Sequence, residues 1–145
     1  MSFNNIFNIA GSGMHAQSAR LNTTASNIAN AETASSSAGE TYRGRHAVFA
    51  AVHQDAMGSF SSFGSGSAGG ASVRVAGVVE SDAPLQRRYQ PEHPQADEDG
   101  FVFYPNVNVV EEMTNMISAS RSFQINVEVM NSAKQMVQRV LTLGQ

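Results

Sequence analysis

The chain has 145 residues and a formal net charge of −3, which is room for one ordinary domain or for a small domain with extended terminal helices. Charged residues make up only 14% of it, against roughly 25% in an average soluble protein. The acidic balance excludes the basic patch that nucleic-acid binding requires, and no apolar run is long enough to insert directly into a membrane as a span. Cysteine is absent, so disulfide and thiol chemistry are excluded.

The N-terminal region is almost free of charge, with Arg20 and Glu32 as the only charged residues before Glu40. Its apolar and small residues alternate in steps of four and three, which predicts a helix from Phe3 to about Ala31 with a heptad seam. The predicted seam consists of Phe3, Phe7, Ala10, Met14, Gln17, Leu21, Thr24 and Ile28. A helix that faces water normally carries charges on its outer side, so this helix is interpreted as facing other protein. The first residues lack a positive leader and a continuous apolar core, so we expect no cleavable secretory signal.

The C-terminal region shows the same alternation and predicts a longer helix from Val107 to Leu143, about 55 Å in length. Asn108 followed by Glu111 resembles a capping box at its start. Long helices with a narrow seam gain their stability from packing on a partner, so we expect the two terminal helices to pair as a coiled coil. The seam predicted here consists of Val109, Met113, Met116, Ser120, Phe123, Val127, Met130, Lys134, Val137 and Leu141.

The region between the helices predicts short strands separated by Gly, Pro and Asp clusters. The strands are expected at 42–52, 73–79, 85–89 and 101–104, and the segment 58–72 is expected to be a flexible Gly/Ser-rich loop that carries Phe60 and Phe63. The predicted fold class is therefore α+β. A discontinuous helical domain (1–33 plus 106–145) would hold a small β-rich insert (34–105).

The sequence contains few residues that are candidates for a catalytic or metal-binding site. The histidines His15, His46, His53 and His93 show no metal-ligand spacing. The acidic turn from Glu92 to Asp99 is the most ligand-like cluster, but its spacing fits neither zinc nor calcium, and a solvated loop is the preferred interpretation over a metal site. The methionines of the C-terminal helix are interpreted as core packing rather than as an adaptable binding groove. We expect no catalytic residue, no cofactor and no metal.

Two separated segments resemble one known family. Leu21 to Thr33 reads LNTTASNIANAET, and the segment from Pro105 begins PNVNVVEEM and continues through ASRSFQIN. Both are similar to the terminal signatures of the flagellar basal-body rod and hook proteins, and the short insert is most similar to the rod proteins of the proximal type. Relatives often continue the first signature with Thr-Pro-Gly-Tyr, whereas here Thr33 leads into an expanded Ser-rich turn before Tyr42.

The resemblance implies a non-enzymatic structural subunit of the proximal rod. Its terminal helices would stack with those of other copies and of other rod proteins into a hollow helical drive shaft. It would be exported by the flagellar type III apparatus without a cleaved signal peptide and would lie in the rod, which spans the periplasm. The alternative is a small soluble adaptor or binding module associated with flagellar export. The residues expected to carry assembly are Phe7, Met14, Leu21, Asn27, Ile28, Met113, Phe123, Val127, Met130, Val137 and Leu141.

Overall fold

The computed structural model describes residues 3–53 and 70–143. In chain order it contains α1 (Phe3–Asn30), β1 (Arg45–His53), β2 (Ala71–Glu80), β3 (Gln86–Tyr89), β4 (Phe101–Tyr104) and α2 (Val109–Leu143). The α+β prediction, with two long helices around a small β region, is confirmed. Of the predicted Gly/Ser-rich loop, Ala71 and Ser72 belong to β2, while most of the segment, including Phe60 and Phe63, lies outside the described residues.

The two helices pack against each other in antiparallel directions. Asn27 near the end of α1 contacts Glu112 in the first turn of α2, while Gly13 lies beside Asn126 further along α2. At 1.5 Å per residue, the 28 residues of α1 span about 42 Å. The 35 residues of α2 span about 53 Å. Asn30 ends α1 without adopting the left-handed conformation that Asn tolerates at helix ends.

The start of α2 differs in one respect from the predicted capping box. Asn108 is the N-cap, because its Oδ1 accepts a hydrogen bond from the Val110 N–H at 3.1 Å. The acidic residue that turns inward, however, is Glu112, which is 5% exposed, whereas Glu111 is exposed. Asn27 accounts for the difference, because its amide donates a hydrogen bond to the Glu112 carboxylate.

The strands form two separate antiparallel pairs. β1 pairs with β2 from Arg45↔Glu80 to His53↔Ala71, with one irregularity after Val48 that leaves Ala76 without a partner. β3 pairs with β4, and Ser35 in the Ser-rich turn exchanges two 3.0 Å hydrogen bonds with Phe103. The expanded turn after α1 is therefore tied to β4.

The β1–β2 hairpin lies along one side of α1. The Val73 N–H donates a hydrogen bond to Ser12 Oγ at 3.1 Å, and a Cβ added at Gly70 would lie 2.8 Å from Ile9 Cδ1. The hairpin consequently covers a side of α1 along much of its length. The division into a helical domain and an insert follows chain order and stays a prediction.

Fully buried apolar side chains are few and mostly small. In the described part of the chain they are Ala10, Ala16, Ala31, Val102, Pro105, Val107, Ala119 and Ala133. Many larger apolar side chains are exposed instead. Within the described ranges, no helix has the length and hydropathy needed to cross a membrane.

Candidate assembly site

A buried asparagine joins the end of α1 to the start of β1 and to α2. Asn27 is 1% exposed, and its Oδ1 accepts hydrogen bonds from Tyr42 Oη at 2.9 Å and from the Arg45 N–H at 2.9 Å. Its Nδ2 donates to the Arg45 carbonyl at 2.7 Å and to Glu112 Oε2 at 3.1 Å. An amide side chain has two acceptor positions and two donor hydrogens, so Asn27 is fully satisfied.

A second asparagine fixes the base of the hairpin. Asn106 Oδ1 accepts from the Gly44 N–H at 2.8 Å, and its Nδ2 donates to the carbonyls of Ser81 at 3.2 Å and Ala83 at 2.8 Å. Together with the Ser81 N–H to Gly44 carbonyl bond at 2.7 Å, these contacts close the hairpin just before α2. We call the set Asn27, Tyr42, Arg45, Asn106 and Glu112 the asparagine junction.

The asparagine junction depends on hydrogen bonds to uncharged amides more than on ion pairs. In the described part of the chain, the one salt bridge joins Arg45 to Glu80 at 2.9 Å, with both side chains about half exposed. Such exposed pairs contribute about 0–1 kcal/mol. Arg20, the only cation of α1, donates to Asn115 Oδ1 at 3.0 Å across the helix pair.

Tyr42 makes the asparagine junction sensitive to alkaline pH. Burial raises the pKa of the Tyr42 phenol above its ordinary value of 10.0, and Glu112 and Glu80 raise it further against a lowering effect of Arg45. The folded chain therefore holds this proton more tightly than the unfolded chain. The resulting stability is fully present below about pH 10 and is lost as the pH rises through the folded-state pKa. We expect the urea midpoint of the purified chain to fall above about pH 10.

The matched control for this pH dependence is Tyr42→Phe. This variant is expected to be less stable at neutral pH, because Asn27 Oδ1 loses a donor, and to lack the part of the alkaline loss that Tyr42 causes. An equal alkaline loss in both proteins would show that another group is responsible.

The helix seam follows the predicted heptads in one of its two rows. On α1, Ala10 and Thr24 are buried as expected. The other row is displaced by one residue: Gly13, Arg20 and Asn27 contact α2, where Met14, Leu21 and Ile28 were predicted to lie. On α2, the first predicted row is partly buried and consists of Met116, Phe123, Met130 and Val137. The second row was predicted at Met113, Ser120, Val127 and Lys134. The structure displaces it by one residue, to Glu112, Ala119, Asn126 and Ala133.

Small and polar side chains explain this displacement. The heptad count followed apolar residues, but the displaced row is made of Gly, Ala, Asn and Glu together with Arg20, and none of these is a large apolar residue. Apart from the α2 row of Met116, Phe123, Met130 and Val137, the larger apolar residues lie at the edges of the seam or outside it. Met113 is 54% exposed and Leu141 is 67% exposed, while Phe7, Met14, Leu21, Ile28, Phe123, Val127, Met130 and Val137 are partly buried. Their role in assembly stays a prediction.

Gly13 faces the Asn126 side chain of α2 and leaves little room for a side chain of its own. A Cβ added there would lie 2.9 Å from Asn126 Nδ2, whereas a Cβ at Gly11 would meet only Met130 Cε at 4.0 Å. We expect Gly13→Val to push the helices apart and lower the free energy of unfolding by about 1–3 kcal/mol. Gly11→Val changes the local helix propensity in the same way and is expected to be neutral or slightly stabilising.

Urea unfolding of the two purified glycine variants beside the parent protein measures this difference. Equal effects of the two substitutions would show that helix propensity, and not the contact with Asn126, determines the outcome.

Two side chains of the acidic turn accept hydrogen bonds from backbone N–H groups of the same turn. Asp97 Oδ1 accepts from the Glu98 N–H at 2.7 Å, and His93 Nδ1 accepts from the Gln95 N–H at 3.2 Å. The acidic residues of the turn are exposed. Over residues 3–53 and 70–143, no three His, Asp or Glu side chains are grouped so as to hold a metal ion.

The elements that meet at the asparagine junction match known families. Residues 7–34, which contain Asn27, match the family described as flagella basal body rod protein. Residues 98–143, which contain β4, Asn106 and α2, match the family described as flagellar basal body rod FlgEFG protein C-terminal.

Relatives that match the chain over its full length identify the family to which it belongs. A flagellar basal-body rod protein FlgC of Salmonella typhimurium is 48% identical over 145 residues, with all of both chains covered. The chain belongs to the FlgC family of flagellar basal-body rod proteins. FlgC of Yersinia enterocolitica is 46% identical over the full length of both chains, and FlgC of Borreliella burgdorferi is 38% identical over 144 residues, with 95% of each chain covered. The interpretation of the chain as a structural subunit of the proximal rod is thereby confirmed.

Sequence reasoning named Asn27 as a site residue and placed Asn106 and Glu112 in the C-terminal signature of the rod and hook proteins, but it missed the roles of Tyr42, Arg45 and Glu112 in the asparagine junction. These residues converge only in three dimensions. A sequence signal existed, however. Uncharged Asn residues recur at both helix ends in a charge-poor chain, and a buried amide needs several partners at once.

Proposed function

We propose that the chain assembles with other copies of itself and with other rod proteins into a hollow helical shaft, and that the outer faces of its two helices form the contacts. The observation that carries this proposal is the distribution of apolar side chains. One row of the intramolecular seam has small and polar side chains on α2, while many large apolar residues of α2 are exposed. In the described part of α2 these are Val109, Val110, Met113, Ile117, Ile125, Val129, Met136, Val140 and Leu141.

Such a surface is unusual for a chain that works alone. Soluble monomers rarely expose contiguous apolar patches larger than a few hundred Å². The buried core, by contrast, is mostly alanine, which contributes little burial energy per residue. Both features support a subunit that reaches its full stability only when neighbours cover its helices.

We further propose that the chain reaches the rod through the flagellar type III export apparatus without a cleaved leader, and that it lies in the part of the rod that spans the periplasm. A chain with a small core and few strong intramolecular contacts is easily kept unfolded for transport. It acts mechanically, without catalysis, a cofactor or nucleic acid, and without inserting into a membrane.

A strain that lacks the gene and is complemented with an epitope-tagged copy tests the proposed function. We expect loss of basal bodies and motility without the gene, and tagged protein in purified basal bodies after complementation. A tagged chain that stays with the export apparatus and is absent from basal bodies would favour the adaptor instead and would overturn the proposal.

A further inference from the structure

The exposed side of α2 carries a regular ridge. Met113, Ile117, Arg121, Ile125 and Val129 are spaced by four residues, and all five are exposed. Residues at this spacing form the continuous ridges that pack into grooves of another helix. Arg121 lies two residues from both Ala119, which is buried against α1, and Phe123, which is partly buried. At 3.6 residues per turn, the middle of this α2 ridge therefore points away from α1.

The exposed side of α1 offers a surface of opposite character. Asn22, Ala25, Ser26 and Ala29 are all exposed, and all are small and uncharged. They flank Thr24 and Asn27, which are buried, so they face away from α2. Arg20, the one cation of α1, turns inward to Asn115. We call these four residues the α1 groove, because grooves for a partner helix lie between rows of side chains and short side chains in those rows leave room for a partner's larger ones.

We propose that the α2 ridge of one copy packs into the α1 groove of a second copy; this inference rests on the proposed function. The ridge supplies branched and long apolar side chains, and the groove supplies space for them without placing a charge against them. Ridges at four-residue spacing on both helices pack at a crossing angle of about 50°. The contact between copies is therefore oblique, unlike the near-parallel alignment of a coiled coil.

The guanidinium of Arg121 favours the α1 groove as the partner surface, because that groove contains hydrogen-bond acceptors. Among the described residues, its guanidinium has no hydrogen-bond or ion-pair partner within the chain. Burying a guanidinium requires hydrogen-bond acceptors, and the α1 groove provides them in the Asn22 amide oxygen and the Ser26 hydroxyl. The groove presents no cation that would repel Arg121.

The positions of the two surfaces determine the kind of assembly. The ridge and the groove lie on opposite sides of the α1–α2 pair, so a copy that has bound one neighbour through its ridge still presents a free groove. A contact between two different surfaces is heterologous, and heterologous contacts that do not close generate helical arrays.

Engineered cysteines test the contact directly, because the chain contains no cysteine of its own. One tagged copy carries Ile117→Cys or Ile125→Cys, and a differently tagged copy carries Asn22→Cys or Ala29→Cys. Both are expressed together, basal bodies are purified, and disulfides are formed by a mild oxidant, with a short bis-maleimide as a second cross-linker. We expect dimers that carry both tags for ridge–groove pairs, and none when Glu92→Cys in the acidic turn replaces the ridge cysteine.

Two results would overturn the contact. One is cross-linking of ridge cysteines only to each other or only to a different rod protein. The other is no mixed dimer while the cysteines are accessible to maleimide in the free chain. If the tagged chain is absent from basal bodies altogether, the proposed function fails; if it is present without mixed dimers, only the ridge–groove contact fails.

A charge substitution provides a second measurement. Ile117→Asp places a carboxylate in the middle of the contact and is expected to abolish incorporation into basal bodies and swimming. Asn131→Asp introduces the same carboxylate on an exposed position of the same helix, away from the ridge, and is expected to leave both unchanged. Normal incorporation of Ile117→Asp would overturn the assignment of the ridge.

Discussion

Substitution of Asn27 by leucine is expected to abolish rod assembly. Leucine has a similar size but makes no hydrogen bond, so the Arg45 backbone, the Tyr42 hydroxyl and the Glu112 carboxylate all lose a partner. Each buried group left unsatisfied costs about 1–3 kcal/mol, and a charged group costs more. A loss of about 3 kcal/mol or more is a large fraction of the stability of a small domain.

Asn30→Leu is the matched control for this substitution. Asn30 belongs to the same signature, but its side chain bonds only the Ser26 carbonyl of its own helix, so its replacement is expected to have little effect. Soft-agar motility, the yield of basal bodies and the urea midpoint of the purified chain distinguish the two variants. Wild-type motility with Asn27→Leu would show that the asparagine junction is not required for the assembled fold.

Ala119→Leu is expected to have the second large effect. Ala119 is 0% exposed and lies in the displaced row of the seam, where the helices approach closely. Three additional carbon atoms have no space there, and overpacking costs about 1–3 kcal/mol. Separation of the helices would also break the hydrogen bond from Arg20 to Asn115, so we expect unstable protein and no rods.

Gln138→Leu adds a leucine to an exposed position of the same helix and serves as the control for Ala119→Leu. The free energy of unfolding and the yield of basal bodies are measured for both variants. If both assemble normally, the seam has room that the structure does not show, and the assignment of the displaced row is wrong.

Sequence periodicity predicted both helices and all four strands of the fold, because each of these elements has its own local pattern. The N-cap at Asn108 was also a local signal. The seam was only half predictable. Apolar periodicity identified the row of Met116, Phe123 and Met130, but the row of Ala119 and Asn126 carries no hydrophobic signal.

The asparagine junction could not be derived from the sequence for a different reason. Glu112 is separated from Asn27 by 85 residues, and Arg45 by 18. No pattern within one element indicates that a helix-terminal amide, a strand backbone and a carboxylate will meet. The capping-box pattern drew attention to Glu111, whereas the hydrogen bond from Asn27 accompanies the burial of Glu112.

The residues of α1 and α2 that contact each other are far apart in the sequence, and this separation determines when the helix pair can form during synthesis. The α2 residues that contact α1 lie between Glu112 and Met130, so α1 has no helix to pack on until nearly the whole chain has emerged from the ribosome. Contacts between distant segments form slowly, because a long loop must close first. An isolated uncharged helix of this kind gains little from its own propensity. The nascent chain therefore lacks its helix pair throughout elongation and acquires it only after release, which gives any factor that recognises the exposed α1 the full duration of translation to bind it.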